Sequence, residues 1–319
     1  MPAANRGQAP NYQWNCLTEE AAFAGRDGAG ALVFNDRMWL LGGWNPDDKV
    51  HFPQICNSEV WSSKDGLSWT LELAAAPWEG RHTAGYAVHA GQMWIVGGDA
   101  NQGHYQNDVW KSADGVHWDQ VHGEVPWGPR VLHYTLAFAG KIWVIGGQTL
   151  PPFADAPERF HCDVWNTADG VHWTQVCEQA PWAPRGMIGG SAVFNGRMWI
   201  LGGGTYDTPK VPKRNFYNDV WSSADGVHWT RHLEAAPWTP RQYHEVAVFD
   251  DRLWVMEGFG QEWANRADTW CSADGTHWHQ VSTPWAPRHA ASVFVYDDGL
   301  WMVAGNNMFP DVWKLTGGQ

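Results

Sequence analysis

Asp27, His82 and His289 each follow directly on an arginine, in the strings RDG, RHT and RHA. Two imidazoles and a carboxylate are a donor set suited to Fe(II) or a similar divalent transition metal. A second group lies in RQYHEVAVFDDRLWVMEGFGQEW, residues 241–263. Tyr243, His244, Glu245 and Glu257 are candidates there for general acid and base. His133 holds the same place as His244, three residues after an arginine. Six arginines recur along the chain: Arg26, Arg81, Arg130, Arg185, Arg241 and Arg288. On a protein of net charge −13, a ring of guanidinium groups points to an anionic ligand, above all a carboxylate. Six acids recur as well: Glu59, Asp108, Asp163, Asp219, Asp268 and Asp311. Pairing of the two sets as scaffold is the alternative reading, and both stay open.

The elements that would position these residues come from a repeat. EVWSSKDGLSW, DVWKSADGVHW, DVWNTADGVHW, DVWSSADGVHW and DTWCSADGTHW share one pattern. APWEGRH, VPWGPRV, APWAPRG, APWTPRQ and TPWAPRH share a second, and GQMWIVGG, GKIWVIGG and GRMWILGG a third. The period is roughly 50 residues, the range of propeller repeats. Each copy reads as four short strands, a to d, with an Asp-Gly turn between c and d, where glycine tolerates positive φ. From the arginine to the strand-b tryptophan the step is 13 residues, or 14 in the fourth copy, and from the strand-c to the strand-d tryptophan it is 8. From strand b to strand c it runs 22, 16, 22, 22, 16 and 12. Length variation is therefore confined to the b–c loops, which share one face with the starts of the a strands. Variable loops on one face are where binding is expected.

The last copy ends at its c strand, and Trp14 stands at strand-d spacing from Phe23 and Arg26. The N-terminal strand is thus expected to complete the closing blade and remove a free sheet edge. The fold class expected is all-β, a six-bladed propeller occupying 1–319 as one domain, with 1–12 a flexible leader.

Of the 25 tryptophans, 23 fall on repeat positions. The two left over, Trp44 and Trp263, lie in b–c loops and suit stacking on a sugar or another planar ligand. His104 and His161, with His51, are loop histidines able to reach the same site. His117, His172, His228 and His277 repeat on strand d and read as structural. Five irregularly spaced cysteines, without CxxC, argue against a disulfide framework or a zinc knuckle. Net charge −13 argues against nucleic acid and anionic membranes as partners. No apolar run is long enough to span a bilayer, and MPAANRGQAPNYQW has no apolar signal core, so the cytoplasm is the expected location.

The WIVGG, NDVW and R-x-x-H segments resemble kelch repeats over essentially the whole chain. The resemblance implies the propeller, but kelch propellers host enzymes, ligand binders and docking modules alike. The chain is similar to the bacterial sialic acid mutarotases, six-bladed kelch propellers acting on an acidic sugar. That implies proton transfer on a small anionic or sugar-like substrate, by an isomerase or lyase, without a nucleotide cofactor. Arg241-Gln242-Tyr243-His244 resembles the copper-binding R-x-Y-H segment of galactose oxidase, but no second tyrosine or inner-strand cysteine accompanies it. A different metal, on Asp27, His82 and His289 or on His133 and His244, is the second reading. A docking module like the kelch domains of ubiquitin-ligase adaptors is the third, and the expected state is a monomer.

Overall fold

The computed structural model describes residues 11–47, 55–100, 104–185 and 190–317. All regular structure among them is β-strand. Six antiparallel sheets form a six-bladed propeller. Blade 1 runs Gly30–Val33, Met38–Leu41, Val60–Ser63 and Trp69–Leu73, from the central channel outward. The innermost strands of the other blades are Gly85–His89, Tyr134–Phe138, Ser191–Phe194, Glu245–Phe249 and Ser292–Tyr296. Each touches the next around a closed ring.

Blade 6 takes its outermost strand from the other end of the chain. Gln13–Thr18 pairs antiparallel with Val312–Thr316, with Trp14 opposite Leu315. Tyr12 lies one residue before that strand. Tyr12, expected in a flexible leader, is buried edge-on against Trp254 at 4.7 Å and bonded to Asp250 at 2.5 Å. Burial of an aromatic ring with its hydroxyl satisfied is enough to fix it. Residues 1–10 of that leader lie outside the described residues.

The core lies between blades. Trp39, Leu41 and Trp78 of blade 1 pack on Met93, Ile95 and Trp118 of blade 2, and equivalent clusters fill the other five interfaces. Each aromatic residue of the connecting corner meets the strand-d tryptophan of the next blade edge-on. The pairs include Trp78–Trp118 at 6.0 Å and Trp127–Trp173 at 5.6 Å. Closure obeys the same rule, with Trp285–Trp14 at 6.0 Å and Phe23–Trp69 at 5.1 Å.

The Asp-Gly turn locks blades together. Ser112 Oγ accepts the Gly115 N–H at 2.8 Å, and Asp114 Oδ1 accepts those of Val116 and His117 at 2.8 and 2.7 Å. Gly115, at φ +83°, lies so close to the Trp39 ring of the preceding blade that a Cβ would clash. The exposed rings of His117, His172, His228 and His277 bond the aspartates of these turns at 2.7–2.8 Å.

Candidate functional site

The six recurrent arginines build the frame of the mouth. All are buried, and each pairs with the strand-c acid of its own blade. Arg26–Glu59, Arg81–Asp108, Arg130–Asp163, Arg241–Asp268 and Arg288–Asp311 meet at 2.6–2.7 Å, and Arg185 pairs with Asp219. Each also donates to a backbone oxygen at the end of strand b, such as Gly97 O at 2.9 Å from Arg81. Each acid further accepts a strand-c indole N–H, such as that of Trp165 on Asp163 at 2.9 Å. Such charges need partners when buried. The expected ring of ligand-binding guanidinium groups is therefore corrected: these arginines are spent on the scaffold.

Consecutive positions after each arginine then take fixed places. The first exchanges backbone hydrogen bonds with the residue that follows the glycine pair of strand b. Asp27 does so with Trp44 at 3.0 and 2.9 Å, and His82 with Asp99 at 3.1 and 3.0 Å. In blade 5, Gln242 pairs with Phe259. The second position is left-handed in every described blade: Gly28, Thr83, Leu132, Tyr243 and Ala290 have φ between 52° and 59°. Four are linked across blades, through Thr83 N–H to Gly28 O, Gly28 N–H to Ala290 O and Ala290 N–H to Tyr243 O, at 2.8–3.1 Å. This belt constricts the channel. Four non-glycine residues in that conformation, each costing of order 1–3 kcal/mol, are tolerated only where the surroundings enforce them.

Above the belt lies a mouth pocket of about 450 Å³. It gathers Asp27, His82, His289, Trp44 and Tyr243, and adds Tyr206, Arg214, Phe259 and Asn306. Asp27 is 8% exposed, and its carboxyl has no hydrogen-bond or ionic partner among the described residues. Burial pushes its pKa up to about 8. His289 Nδ1 lies 2.7 Å from Asn265 Oδ1, and the ring stacks on Tyr243 at 5.0 Å. Desolvation, with Arg214 second, lowers its pKa to about 4. His82 stacks on Trp44 at 6.4 Å, and its Nδ1 faces Asp99 O at 3.1 Å and Cys56 Sγ at 3.3 Å. Desolvation lowers its pKa also. A carbonyl can only accept, so His82 Nδ1 carries the proton, and the Asn265 amide oxygen sets the same tautomer for His289. In both rings Nε2 is left as the lone pair. Arg214 lies 4.4 Å over the Tyr206 ring, and its Nε is 3.3 Å from Asp207.

The predicted metal triad is corrected in part. Asp27, His82 and His289 do share one pocket. Yet among the described residues no three His, Cys, Asp or Glu side chains come together as metal ligands. The belt holds their backbones on three blades while stacking turns both rings against aromatic neighbours. His133 and His244 do not converge either. His244 is fully buried between blades, with Nε2 2.7 Å from Leu201 O.

The acid–base group proposed for blade 5 is divided by the belt. Tyr243 faces the mouth, whereas Glu245 and His133 line a chamber of about 180 Å³ below it. His133 Nδ1 is 2.9 Å from Thr135 Oγ1. Burial raises the Glu245 pKa to about 8, and Oε1 has no hydrogen-bond partner among the described residues. Glu257 is fully buried with φ +50°. Its Oε1 accepts the Ala291 N–H at 3.0 Å, and burial with the Glu245 charge raises its pKa strongly. Glu257 fills a particular slot. In blades 2 and 4 the first glycine of the pair leaves room for a histidine from the next blade: a Cβ on Gly97 would lie 3.4 Å from His133, and one on Gly202 3.2 Å from His244. In blade 6 that histidine is Ala291, and the Glu257 side chain occupies the space instead. Glu257 thus reads as a neutral core acid.

His161 is buried on Thr149 at 2.9 Å. His104 is exposed, 3.4 Å from Glu79, on a separate cleft. Neither lines the mouth pocket, although Tyr105 and Leu150 of the same loops pack beside Tyr243 and Ala290 there. His51 lies outside the described residues. Trp263 is 63% exposed, beside the mouth. Tyr206, Arg214, Phe259 and Asn306 were missed from sequence. The signal for Phe259 and Asn306 was their place after the strand-b pair, which Trp44 shares. Comparison with family models and with curated proteins finds no match.

Proposed function

We propose that this chain, read as a kelch-type propeller on its WIVGG and NDVW segments, binds a small cyclic hydroxy acid at the mouth and isomerises it by proton transfer. A sugar acid is the substrate class. The observation that carries this reading is Asp27, a buried, unpartnered carboxyl aimed into an aromatic pocket. A pKa near 8 keeps it protonated at neutral pH and able to donate. His289 and His82, held neutral with Nε2 free, are the matching bases. Environments that push acid and base apart in this way support an acid–base pair. Arg214, with no partner for its terminal nitrogens among the described residues, takes the substrate carboxylate. Trp44, Tyr243 and Phe259 take the ring faces.

In the step proposed, the Asp27 proton passes to the ring oxygen while a histidine Nε2 accepts the proton of the anomeric hydroxyl. The ring carbon–oxygen bond breaks, a carbonyl forms, and closure on the other face reverses both transfers. No electrons are exchanged. The test is anomer exchange of D-galacturonate and D-glucuronate, followed by NMR with and without protein. Acceleration is expected, with at least a hundredfold loss in Asp27→Asn and retained binding. Absence of any acceleration, or an unchanged rate in Asp27→Asn, would sink the reading.

A further inference from the structure

Trp263 stands outside the mouth pocket in circumstances that folding does not explain. It is 63% exposed, the most exposed tryptophan among the described residues. Its backbone is left-handed, φ +59°, a conformation rare for a bulky side chain. The loop enforces it through Trp263 N–H to Gly260 O at 3.0 Å and Gly260 N–H to Ala264 O at 2.9 Å. The ring is nonetheless placed. Phe259 meets it edge-on at 5.9 Å, and the Arg214 guanidinium lies 5.1 Å from its centre. A strained residue holding a mostly exposed aromatic ring is a cost that contacts with Phe259 and Arg214 offset only in part, and such costs gather at ligand sites.

The ground around it is a second concavity of about 600 Å³. It is lined by Trp263, Lys213, Asn215, Gln261 and Glu262, and it shares Asp207 and Arg214 with the mouth pocket. The two cavities are therefore neighbours across one arginine. Both linings hold aromatic rings, an amide, a carboxylate and the shared Arg214 guanidinium, and the outer one adds the Lys213 ammonium. A pyranose ring offers an apolar face of C–H groups and a rim of hydroxyls, and this lining matches both. Glu262 is already paired with Arg266, and Asp207 with the Arg214 Nε, which leaves Lys213 and the terminal nitrogens of Arg214 facing the groove. An acidic sugar fits that balance better than a neutral one.

We propose that Trp263 is a second sugar subsite, and that the ligand is an oligosaccharide of acidic sugars running from the mouth pocket past Arg214 onto the Trp263 ring. This deepens, and rests on, the reading of the mouth pocket as a sugar-acid site. Arg214 sits at the junction, where it can engage carboxylates of adjoining units. The loop between strands b and c of blade 4 brings it there.

The test is calorimetric titration of the whole chain with galacturonic acid and its linear dimer and trimer. Affinity at least tenfold higher for the trimer than for the monomer is expected. Trp263→Ala should remove that gain and leave monomer affinity unchanged, with Trp263→Phe restoring part of it. Its exposure makes the variant structurally mild. Equal affinity for monomer and trimer, loss of both in Trp263→Ala, or no binding of any uronide would overturn the subsite. Trimer binding that depends on Trp263, without monomer binding or anomer exchange, would instead overturn the mouth reading and leave the subsite standing.

Discussion

Glu257 shows how a residue that departs from a repeat can be structural. Its replacement of a glycine marked it from sequence as an acid–base candidate, and the repeat itself supplies a different meaning. The space beside the strand-b glycine receives His133 from blade 3 and His244 from blade 5, whereas blade 6 offers only Ala291. Glutamate and alanine together replace glycine and histidine. Glu257→Gly should leave a void and an unsatisfied Ala291 N–H, costing about 2–4 kcal/mol. Ala291→His alone overpacks the slot and costs about 1–3 kcal/mol. The double variant should recover most of the loss, which urea unfolding of all four proteins will measure as a coupling energy. Additive losses would remove the slot exchange. Sequence could not show this, because the two residues belong to different blades and the exchange appears only when neighbours are superposed. Asp27 is the contrasting case. Its type and its place after Arg26 were legible, and its isolation in the pocket was not, since burial and the lack of a partner are three-dimensional facts.

The elements were legible where the repeat is rigid. Strand-b and strand-c tryptophans and the Asp-Gly turn fixed each blade, because each tryptophan and each turn glycine has one place in the blade interface. The role of the arginines was left open by sequence, and strand c decides it. The acid before each strand-c tryptophan binds the arginine and the indole N–H together, as Asp163 does with Arg130 and Trp165. Desolvation raises the Asp163 pKa, but hydrogen bonds and charge from Arg130 outweigh it and hold the group ionised. Asp163→Ala should cost about 3–5 kcal/mol by stranding a buried guanidinium. Trp165→Phe should cost only about 1 kcal/mol for the lost hydrogen bond, with some packing loss. Equal effects in thermal unfolding would deny the acid its place as the hub of the blade. The b–c loops were the illegible elements. Their lengths marked the binding face, but the path that carries Arg214 over Tyr206 depends on loop geometry rather than on periodicity.

At the scale of the whole molecule, the ring of blades holds an unusual balance of buried groups. Three carboxyls, Asp27, Glu245 and Glu257, are raised by burial, the first two to about 8. Six histidines are lowered chiefly by burial: His133, His161 and His244 to about 3, His289 to about 4, and His82 and His232 as well. The signs oppose each other. A carboxyl with a raised folded pKa binds its proton in the native state but not in the unfolded chain from about pH 4 upward, so its stabilisation declines as pH rises to 8. A histidine with a lowered folded pKa binds a proton only when unfolded between its folded value and about 6.5, so its stabilisation is lost as pH falls through that range. Below about pH 4 the histidines and the aspartates held low by their partners, such as Asp163 and Asp268, both lose stabilisation as pH falls, and between 4 and 6.5 the buried carboxyls and the histidines offset. Above 6.5 only the carboxyls still act, and stability should fall by up to about 2 kcal/mol per group between pH 6.5 and 8. Glu245→Gln removes one of them without removing its shape. Its unfolding midpoint in urea should therefore gain on the wild type at pH 8 relative to pH 5. A wild-type midpoint that holds constant or rises from pH 6.5 to 8 would mean these carboxyls find counterions in solution. The channel would then be wetter than its walls imply, and Asp27 would lose the neutral form on which its proton donation depends.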